Sequence, residues 1–259
     1  MTAELPRIDT TKPHPARVYD YLLGGKDHYD ADKEVGANLP PIAAPAARLN
    51  RAFMQRAAAW CARGGTDQFL DIGTGIPTEP NLHQVVQAIQ PAARVVYTDN
   101  DPVVLRHAEA LMFSTREGAT DYIQSDVREP EQILRHARQF LDFDRPVTLS
   151  LIALMHFVTD EWDPYGLVRT LVGELPSGSH LVMSHATWDF TPEIAEDFTR
   201  VYTASGMPLA IRDKAGVERF FDGLELLDPG VVPIASWYKD GEAPEPVRNM
   251  LYAGVARIP

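Results

Sequence analysis

Three aspartates stand at the ends of consecutive apolar segments that are typical of β-strands: Asp71, Asp99 and Asp126. In a doubly wound parallel sheet, the carboxyl ends of the strands lie along one edge, where ligands bind. Carboxylates that meet there repel one another unless a cationic or hydroxyl-rich ligand lies between them. The three aspartates therefore predict a site for a ligand that carries positive charge and hydroxyl groups.

The first aspartate leads into a turn with two glycines, Gly73 and Gly75, which are separated by Thr74. Such glycines allow a tight strand-to-helix turn and let a ligand lie against the main chain. Asp71 would repel the pyrophosphate of a dinucleotide but attract a ligand with an ammonium and a sulfonium group. Thr78 also occupies the position of the third glycine in the dinucleotide fingerprint. The turn therefore favours S-adenosylmethionine over NAD.

The residues after the second and third strands could hold the nucleoside part of that ligand. Asp99 lies about 25 residues beyond the glycine turn, near the distance at which an acid accepts hydrogen bonds from ribose hydroxyls. Asn100 follows it and could share this role, whereas Asp101 is better placed to cap the next helix. Asp126 could accept from the exocyclic amine of adenine while the N–H of Val127 donates to a ring nitrogen. The alternatives are Asp99 as a helix cap and Asp126 as a simple turn residue.

Strand and helix signals alternate along most of the chain. Alternation of this kind predicts a parallel sheet with right-handed crossovers. The last segments have strand character without an intervening helix, which predicts an antiparallel pair. We therefore expect an α/β fold with a doubly wound, mostly parallel sheet, an antiparallel C-terminal hairpin and a helical N-terminal extension. The predicted strands are residues 68–72, 94–98, 121–124, 147–154, 180–184, 224–227, 231–237 and 249–256.

The pattern divides the 259 residues into a helical extension or lid, residues 1–66, and a ligand-binding core, residues 67–259. The net charge is -12 and no Lys/Arg cluster marks a basic face, so we expect no nucleic-acid partner. No apolar run reaches the length of about 18 residues that predicts a membrane span. The first residues lack the apolar core of a signal peptide, so a cytoplasmic location is expected. Cys61 is the only cysteine and zinc-ligand spacing is absent, so we predict no metal site.

These motifs together resemble a known family. The segment Asp71-x-Gly73-x-Gly75, followed by Asp99 and Asp126, looks like a class I S-adenosylmethionine-dependent methyltransferase. With the glycine turn, the sequence Arg-Val-Tyr-Asp-Tyr-Leu-Leu-Gly-Gly-Lys-Asp at residues 17–27 resembles a narrower, actinobacterial group described as S-adenosyl methyltransferase, formerly a domain of unknown function. The resemblance implies a seven-stranded sheet with the last strand antiparallel, bound S-adenosylmethionine and S-adenosylhomocysteine as product. It does not define the methyl acceptor.

The extension could fold over the bound cofactor as a lid. Its first helix ends at Gly24, as a helix with a C-terminal glycine does, and polar residues follow. In this hypothesis Arg17 or Lys26 faces the carboxylate of the cofactor, and Tyr21 and His28 lie near the site. The alternative is a helix that only packs on the sheet. Under the lid hypothesis, deleting about the first thirty residues abolishes cofactor binding and leaves a folded core.

His156 is the candidate general base, because it follows the central strand at the end that faces the methyl donor in this fold class. His185 and Trp188 follow the fifth strand and are candidates for lining the acceptor pocket. A structural role for His156 remains open, because an isolated histidine is more often structural than catalytic. The Asn/Asp-Pro-Pro-aromatic signature of amino-directed nucleic-acid methyltransferases is absent at this position, which favours a small acceptor.

We therefore expect an S-adenosylmethionine-dependent methyltransferase that acts on a small molecule, with O-methylation preferred over N-methylation. One alternative is a regulatory protein that binds S-adenosylmethionine or S-adenosylhomocysteine without catalysis. A large apolar pocket beside the methyl group would argue against that alternative. An NAD-dependent oxidoreductase is the other alternative, which Asp71 and Thr78 disfavour. The sequence leaves the oligomeric state open, a homodimer included.

Overall fold

A central β-sheet organises the chain in the computed structural model, which describes residues 9–111, 113–238 and 247–259. Its strands are β1 (Gln68–Ile72), β2 (Arg94–Asp99), β3 (Ala119–Gln124), β4 (Thr148–Ile152), β5 (His180–Ala186), β6 (Glu225–Leu226), β7 (Val232–Pro233) and β8 (Leu251–Arg257). Strands β1 to β5 are parallel and lie in the order β3-β2-β1-β4-β5. Strand β8 follows β5 in the sheet and is antiparallel to β5, β6 and β7.

The strand order reverses at β1, because β2 and β3 lie on one side of it and β4 and β5 on the other. Ligands of doubly wound sheets bind outside the carboxyl ends of the strands at such a point. The predicted α/β fold, with a mostly parallel sheet and antiparallel C-terminal strands, is confirmed. Seven strands form the continuous path, and the two-residue β7 adds an eighth within the described ranges. The predicted strands 224–227 and 231–237 are shorter in the structure, where they hold only β6 and β7, and Ile234–Ser236 form a turn of 3-10 helix instead of a strand.

Helices cover both faces of the sheet. They are α1 (Pro15–Leu23), α2 (Asp30–Asn38), α3 (Ala43–Arg63), α4 (Leu82–Gln87), α5 (Pro102–Leu111), α6 (Pro130–Phe140), α7 (Pro164–Gly173), α8 (Ala195–Ala204) and α9 (Lys214–Glu218). Adjacent residues of β1 belong to different apolar clusters. Phe69 packs in a cluster with Phe53 of α3, and Leu70 packs in a second cluster with Leu171 of α7. Burial on both faces explains why the central strands are continuous apolar runs.

The extension shares a core with the sheet. Val18 of α1, Val35 of α2 and Phe53 of α3 are buried in the same cluster as Phe69 of β1. As expected, α1 ends at Gly24, which has a left-handed φ of 83°. The division at residue 66 stays a prediction, and residues 1–8 of the predicted extension lie outside the described part. Of the described helices, none is long and apolar enough to cross a membrane.

Candidate functional site

A cavity of about 550 Å³ lies at the carboxyl ends of β1, β2, β3 and β4. The glycine turn and the strand-end aspartates line one half of it. An apolar half extends past the end of β4 toward α8 and the start of β8. The cavity brings together all nine residues that were predicted to bind the cofactor or to act in catalysis: Asp71, Gly73, Thr74, Gly75, Asp99, Asn100, Asp126, Val127 and His156.

Hydrogen bonds fix the glycine turn against the end of β2. The N–H groups of Gly73 and Thr74 donate to the carbonyl of Thr98, at 2.8 and 3.1 Å. Gly73 and Gly75 have φ angles of 75° and 70°, in the region that favours glycine. A Cβ on Gly73 would lie 2.7 Å from Leu154 Cδ1, whereas one on Gly75 would meet no atom within 4 Å. The main chain at Gly75 is therefore free to contact a ligand.

Asp71 presents a buried carboxylate at the end of β1, with only 8% of the residue exposed. Ser150 Oγ on β4 donates to its Oδ1, and Thr74 Oγ1 donates to its main-chain carbonyl at 3.1 Å. Burial raises the pKa of Asp71 to about 6, although the hydrogen bond from Ser150 and the charge of Arg51 oppose this rise. A cation beside this carboxylate would favour its ionised form. The position therefore suits a positively charged ligand.

The carboxylate of Asp99 is held between the glycine turn and its own loop. Its Oδ2 accepts from Gly75 N–H at 2.9 Å, and its Oδ1 accepts from Asp101 N–H at 3.0 Å. Burial raises the pKa of Asp99, against the opposing charge of His14. Asp101 Oδ1 accepts from Val103 N–H at 2.9 Å, in the first turn of α5. Asp101 thus makes the contact expected of a helix cap, and Asp99 remains in the cavity lining.

Arg128 forms hydrogen bonds to both carboxylate oxygens of Asp126. The Oδ1 of Asp126 accepts from the main-chain N–H and the Nε of Arg128, at 2.9 and 2.8 Å. Its Oδ2 accepts from Arg128 Nη2 at 2.6 Å and from Asn100 Nδ2 at 2.9 Å. Burial acts to raise the pKa of Asp126, but these hydrogen bonds hold it at about 2. Both oxygens are engaged, so the predicted contact with an adenine amine requires the Arg128 side chain to move.

Four residues selected by the lid hypothesis do not line the cavity: Arg17, Tyr21, Lys26 and His28. The guanidinium of Arg17 is buried between Asp101 and Asp32, with N–O distances of 3.0 and 3.5 Å. The rings of Tyr21 and His28 meet edge-on, with their centres 5.2 Å apart, and Lys26 is exposed. Arg17 therefore joins α1 to α2 and α5 and does not face a ligand. This placement corrects the predicted contact between Arg17 or Lys26 and the cofactor.

Other residues of the extension form a wall of the cavity. His14, Tyr19 and Leu22 line it from α1 and the residue before α1. His14 Nε2 lies 3.1 Å from Asn100 Oδ1, and His14 Nδ1 lies 3.3 Å from Asp101 Oδ2. The extension therefore contacts the loop that was predicted to bind ribose. It does so through residues that the sequence analysis did not select.

A buried chain of hydrogen bonds connects this wall to the end of β4. Asn50 Nδ2 on α3 donates to Tyr19 Oη at 2.8 Å. Ser184 Oγ donates to Asn50 Oδ1 at 2.5 Å and accepts from Ala153 N–H at 2.9 Å. Ala153 lines the cavity with a φ of 53°, which costs a non-glycine residue conformational energy. The chain of hydrogen bonds supports this strained turn.

His156 is only 7% exposed, and its Nδ1 accepts from Ala186 N–H at 3.4 Å. The proton of a neutral ring then lies on Nε2, which has no hydrogen-bond partner in the described part of the chain. Burial lowers the pKa of His156 well below its usual value, and the charge of Arg212 acts in the same direction. The geometry therefore favours a neutral hydrogen-bond donor over the general base that the sequence predicted.

His185 and Trp188 do not line the cavity, which corrects their predicted place in the acceptor pocket. His185 Nδ1 donates to the carbonyl of Ala186 at 2.7 Å, and its Nε2 accepts from Arg212 at 3.1 Å. Burial lowers the pKa of His185 to about 3, so the ring is neutral near pH 7. Trp188 packs edge-on against Phe198, which does line the cavity, with ring centres 5.3 Å apart. Both residues support the wall from outside.

Comparison with known proteins identifies the family. The family described as S-adenosyl methyltransferase matches residues 1–259. The chain belongs to this family. Among solved structures, this methyltransferase is similar to a DUF574 family protein of Streptomyces avermitilis, with 47% identity over 98% of this chain and 100% of that one and a TM-score of 0.93.

Two further structures extend the comparison. A candidate methyltransferase of Thermobifida fusca is 35% identical over 100% of this chain and 99% of its own, with a TM-score of 0.86. An S-adenosylmethionine-dependent methyltransferase of Anabaena variabilis is 15% identical over 99% of this chain and 100% of its own, with a TM-score of 0.55, and shows the shared fold alone. No curated protein matched the chain.

The cavity of this methyltransferase fits S-adenosylmethionine, the methyl donor of its family. Gly75 offers bare main chain, and Asp71 offers a buried carboxylate that suits a cation. Ser125 Oγ is buried in the lining with no hydrogen-bond partner in the described ranges. A cationic ligand with hydroxyl and amine groups would satisfy these atoms. Within the same ranges, no three His, Cys, Asp or Glu side chains are placed to hold a metal ion.

Proposed function

We propose that this methyltransferase carries the methyl group of S-adenosylmethionine to a small-molecule acceptor, and that it methylates oxygen in preference to nitrogen. The cavity continues beyond the aspartates into an apolar chamber, and this observation carries the proposal. The apolar chamber is defined by Met54, Phe157, Phe198, Tyr202, Met207 and Met250. A protein that only binds S-adenosylmethionine has no need of such a chamber, whereas a transferase needs it to align an acceptor.

The predicted cofactor residues have distinct roles in this proposal. Asp71 stabilises the positive charge of S-adenosylmethionine, beside the bare main chain of Gly75. Asp99 and Asn100 accept hydrogen bonds from the ribose hydroxyls. Asp126 contacts the adenine after Arg128 has turned away from its carboxylate. The burial of Asp71 and the position of all these residues on one cavity wall support these assignments.

His156 favours oxygen over nitrogen as the methylated atom. Bound S-adenosylmethionine would supply an electrophilic methyl group: the carbon–oxygen bond to the acceptor forms as the carbon–sulfur bond breaks, S-adenosylhomocysteine is left, and the hydroxyl proton passes to solvent when the product leaves. A hydroxyl oxygen has two lone pairs, so it can accept from His156 Nε2 and still attack. An amine nitrogen has one lone pair, and a hydrogen bond from Nε2 would occupy it. The chain itself aligns the acceptor and excludes water.

A labelling experiment tests the proposal. The protein is incubated with S-adenosylmethionine that carries an isotopic label in its methyl group, together with a small-molecule extract from its source cells. We expect label in extractable small molecules that gain one methylene unit in mass, with the new methyl on oxygen. Asp71→Asn should reduce the transfer through weaker cofactor binding. A sample without protein is the control.

Three outcomes would contradict the proposal. Tight binding of S-adenosylhomocysteine without any transfer would support the regulatory alternative. Label in protein or nucleic acid would exclude a small acceptor. Transfer to nitrogen alone would contradict the role assigned to His156.

A further inference from the structure

We infer that the acceptor is a planar aromatic molecule that carries a hydroxyl group and no carboxylate, phosphate or ammonium group. Its ring would pack in the apolar chamber, and its hydroxyl would bond to His156 Nε2 and Tyr202 Oη. The inference rests on the proposed function, because it specifies the acceptor of the same cavity.

Aromatic rings form a continuous part of the chamber wall. The rings of Phe198 and Tyr202 are stacked, with centres 5.2 Å apart and an angle of 14° between their planes. Tyr202 is followed by Phe157 at 5.7 Å, and Phe157 by His156 at 4.4 Å. All four residues line the cavity. A planar ring gains offset-stacked or edge-on contacts on such a wall, beyond the burial of its apolar area.

Methionines supply the adaptable part of the chamber. Met54 comes from α3, Met207 follows α8, and Met250 precedes β8. All three are buried and line the cavity. Thioethers contact aromatic edges favourably, and their flexible side chains fit ligands of irregular outline. The chamber therefore accepts a ring with substituents more readily than a single rigid shape.

Most elements of the chamber wall bring no charge to it. The exceptions lie beside Met54 and Phe157, where Arg51 and Glu161 also line the cavity, and Arg51 Nη2 donates to the carbonyls of Thr78 and Pro80. In the described chain, α8, residues 206–209 and residues 250–251 contribute no Asp, Glu, Lys or Arg to the cavity lining. Arg212 is a buried cation that does not line the cavity. Its guanidinium donates to carbonyls of Met155 and Val158 and pairs with Asp160. A carboxylate, phosphate or ammonium group in the chamber would lose its hydration without gaining a partner.

Two polar atoms on the ring wall remain unpaired. His156 Nε2 and Tyr202 Oη have no hydrogen-bond partner in the part of the chain that the structure describes, although Tyr202 is only 5% exposed. Burial raises the pKa of Tyr202, so it stays a neutral phenol. Neither atom is among the fully buried side-chain atoms without a partner in the described chain, so both can be reached from the cavity. His156 Nε2 can donate a hydrogen bond, and Tyr202 Oη can donate or accept one. Together they match a single hydroxyl group on an aromatic ligand.

Calorimetry with three probes of equal ring size tests the inference. Naphthol, naphthoate and naphthylmethylammonium are titrated into the protein saturated with S-adenosylhomocysteine, whose sulfur is neutral. We expect naphthol to bind at least tenfold more tightly than either ion. Phe198→Leu should weaken naphthol binding about three- to tenfold through loss of a ring contact. The control Phe113→Leu, which removes an 82% exposed ring elsewhere, should change nothing.

A second substitution isolates the hydrogen bond. Tyr202→Phe keeps the ring and removes the hydroxyl, so naphthol should bind it more weakly while naphthalene binds both proteins equally. Equal or tighter binding of either ion would overturn the inference. Naphthol affinity that is unchanged by Phe198→Leu and by Tyr202→Phe would also overturn the inference. The same holds if none of the probes binds. If the labelling experiment still yields methylated small molecules in that case, the proposed function stands and only the acceptor class is wrong.

Discussion

Replacing Asp71 with asparagine should stabilise the free protein and weaken its binding of S-adenosylmethionine. Burial raises the pKa of Asp71 from 3.8 to about 6. The folded chain therefore binds this proton more tightly than the unfolded chain. The resulting stability is fully present below pH 3.8 and is lost as the pH rises through about 6. The shift of about two pKa units corresponds to a cost of about 3 kcal/mol at neutral pH.

Asparagine removes this cost and keeps an oxygen that can accept from Ser150. It also removes the charge that would stabilise the cation of the ligand. Because a hydrogen bond to a charged group contributes about 1.5–3 kcal/mol, the affinity for S-adenosylmethionine should fall about 10- to 100-fold. In the unsubstituted protein, affinity should also fall below about pH 6, by roughly tenfold per pH unit, as the carboxylate takes up its proton.

Urea unfolding near pH 4 and near pH 7.5 measures the stability of both proteins, and calorimetry between about pH 5 and 7.5 measures their affinity. The variant should be more stable only at the higher pH, and its affinity should lack the fall below about pH 6. Asp144→Asn is the matched control, because it makes the same change of charge at an exposed aspartate.

Two results would refute this reasoning. One is a variant that is less stable than the unsubstituted protein at neutral pH. The other is a variant that binds S-adenosylmethionine with unchanged affinity. An equal response in Asp144→Asn would assign the effects to net charge and not to the buried site.

Three further experiments test the supporting contacts. Arg128→Gln should free Asp126 and raise the affinity for S-adenosylhomocysteine several-fold in calorimetry, and unchanged affinity would contradict competition by the guanidinium. Tyr19→Phe should lower the free energy of unfolding in urea by about 1–3 kcal/mol, because a buried amide donor loses its acceptor; no loss would show that the donor finds another partner. Gly73→Ala should destabilise the protein more than Gly75→Ala in the same assay, because only the former meets a side chain at 2.7 Å; equal losses would leave the φ strain as the sole cause.

The strand ends were predictable from the sequence because they depend on short-range pattern. A short apolar segment marks β1, Asp71 is the penultimate residue of this strand, Asp99 ends β2, and Asp126 follows β3. Parallel pairing then brings them to one sheet edge without further information. Hence the predicted cofactor residues meet in one cavity.

The face of α1 could not be predicted in the same way. Periodicity shows which residues share a face of a helix but not which neighbour that face meets. Arg17 turns toward Asp32 and Asp101, and Tyr19 turns toward the cavity, because α2, α3 and α5 pack around this helix. The proton position on His156 depends in the same way on the N–H of Ala186, the last residue of β5. Such tertiary contacts leave no pattern in the local sequence from which they could be predicted.

The ion pairs of Arg17 bear on whether the extension is a removable lid. Arg17, Asp32 and Asp101 are all buried, and they join α1, α2 and the start of α5. Removing one partner from a buried ion pair costs about 3–5 kcal/mol, because the remaining charge is left uncompensated. A chain that begins at residue 31 keeps both aspartates and lacks their cation.

We therefore expect this truncated chain to lose both stability and cofactor binding. The lid hypothesis instead expects the truncation to leave a folded core. Arg17→Met removes the same charge while it retains most of the side-chain volume, so it separates the ion pair from the rest of α1. Both proteins should unfold at lower urea concentrations than the full chain. If the truncated chain matched the full chain in stability but failed to bind S-adenosylmethionine, the extension would be a separable lid and the buried ion pair would not hold it in place.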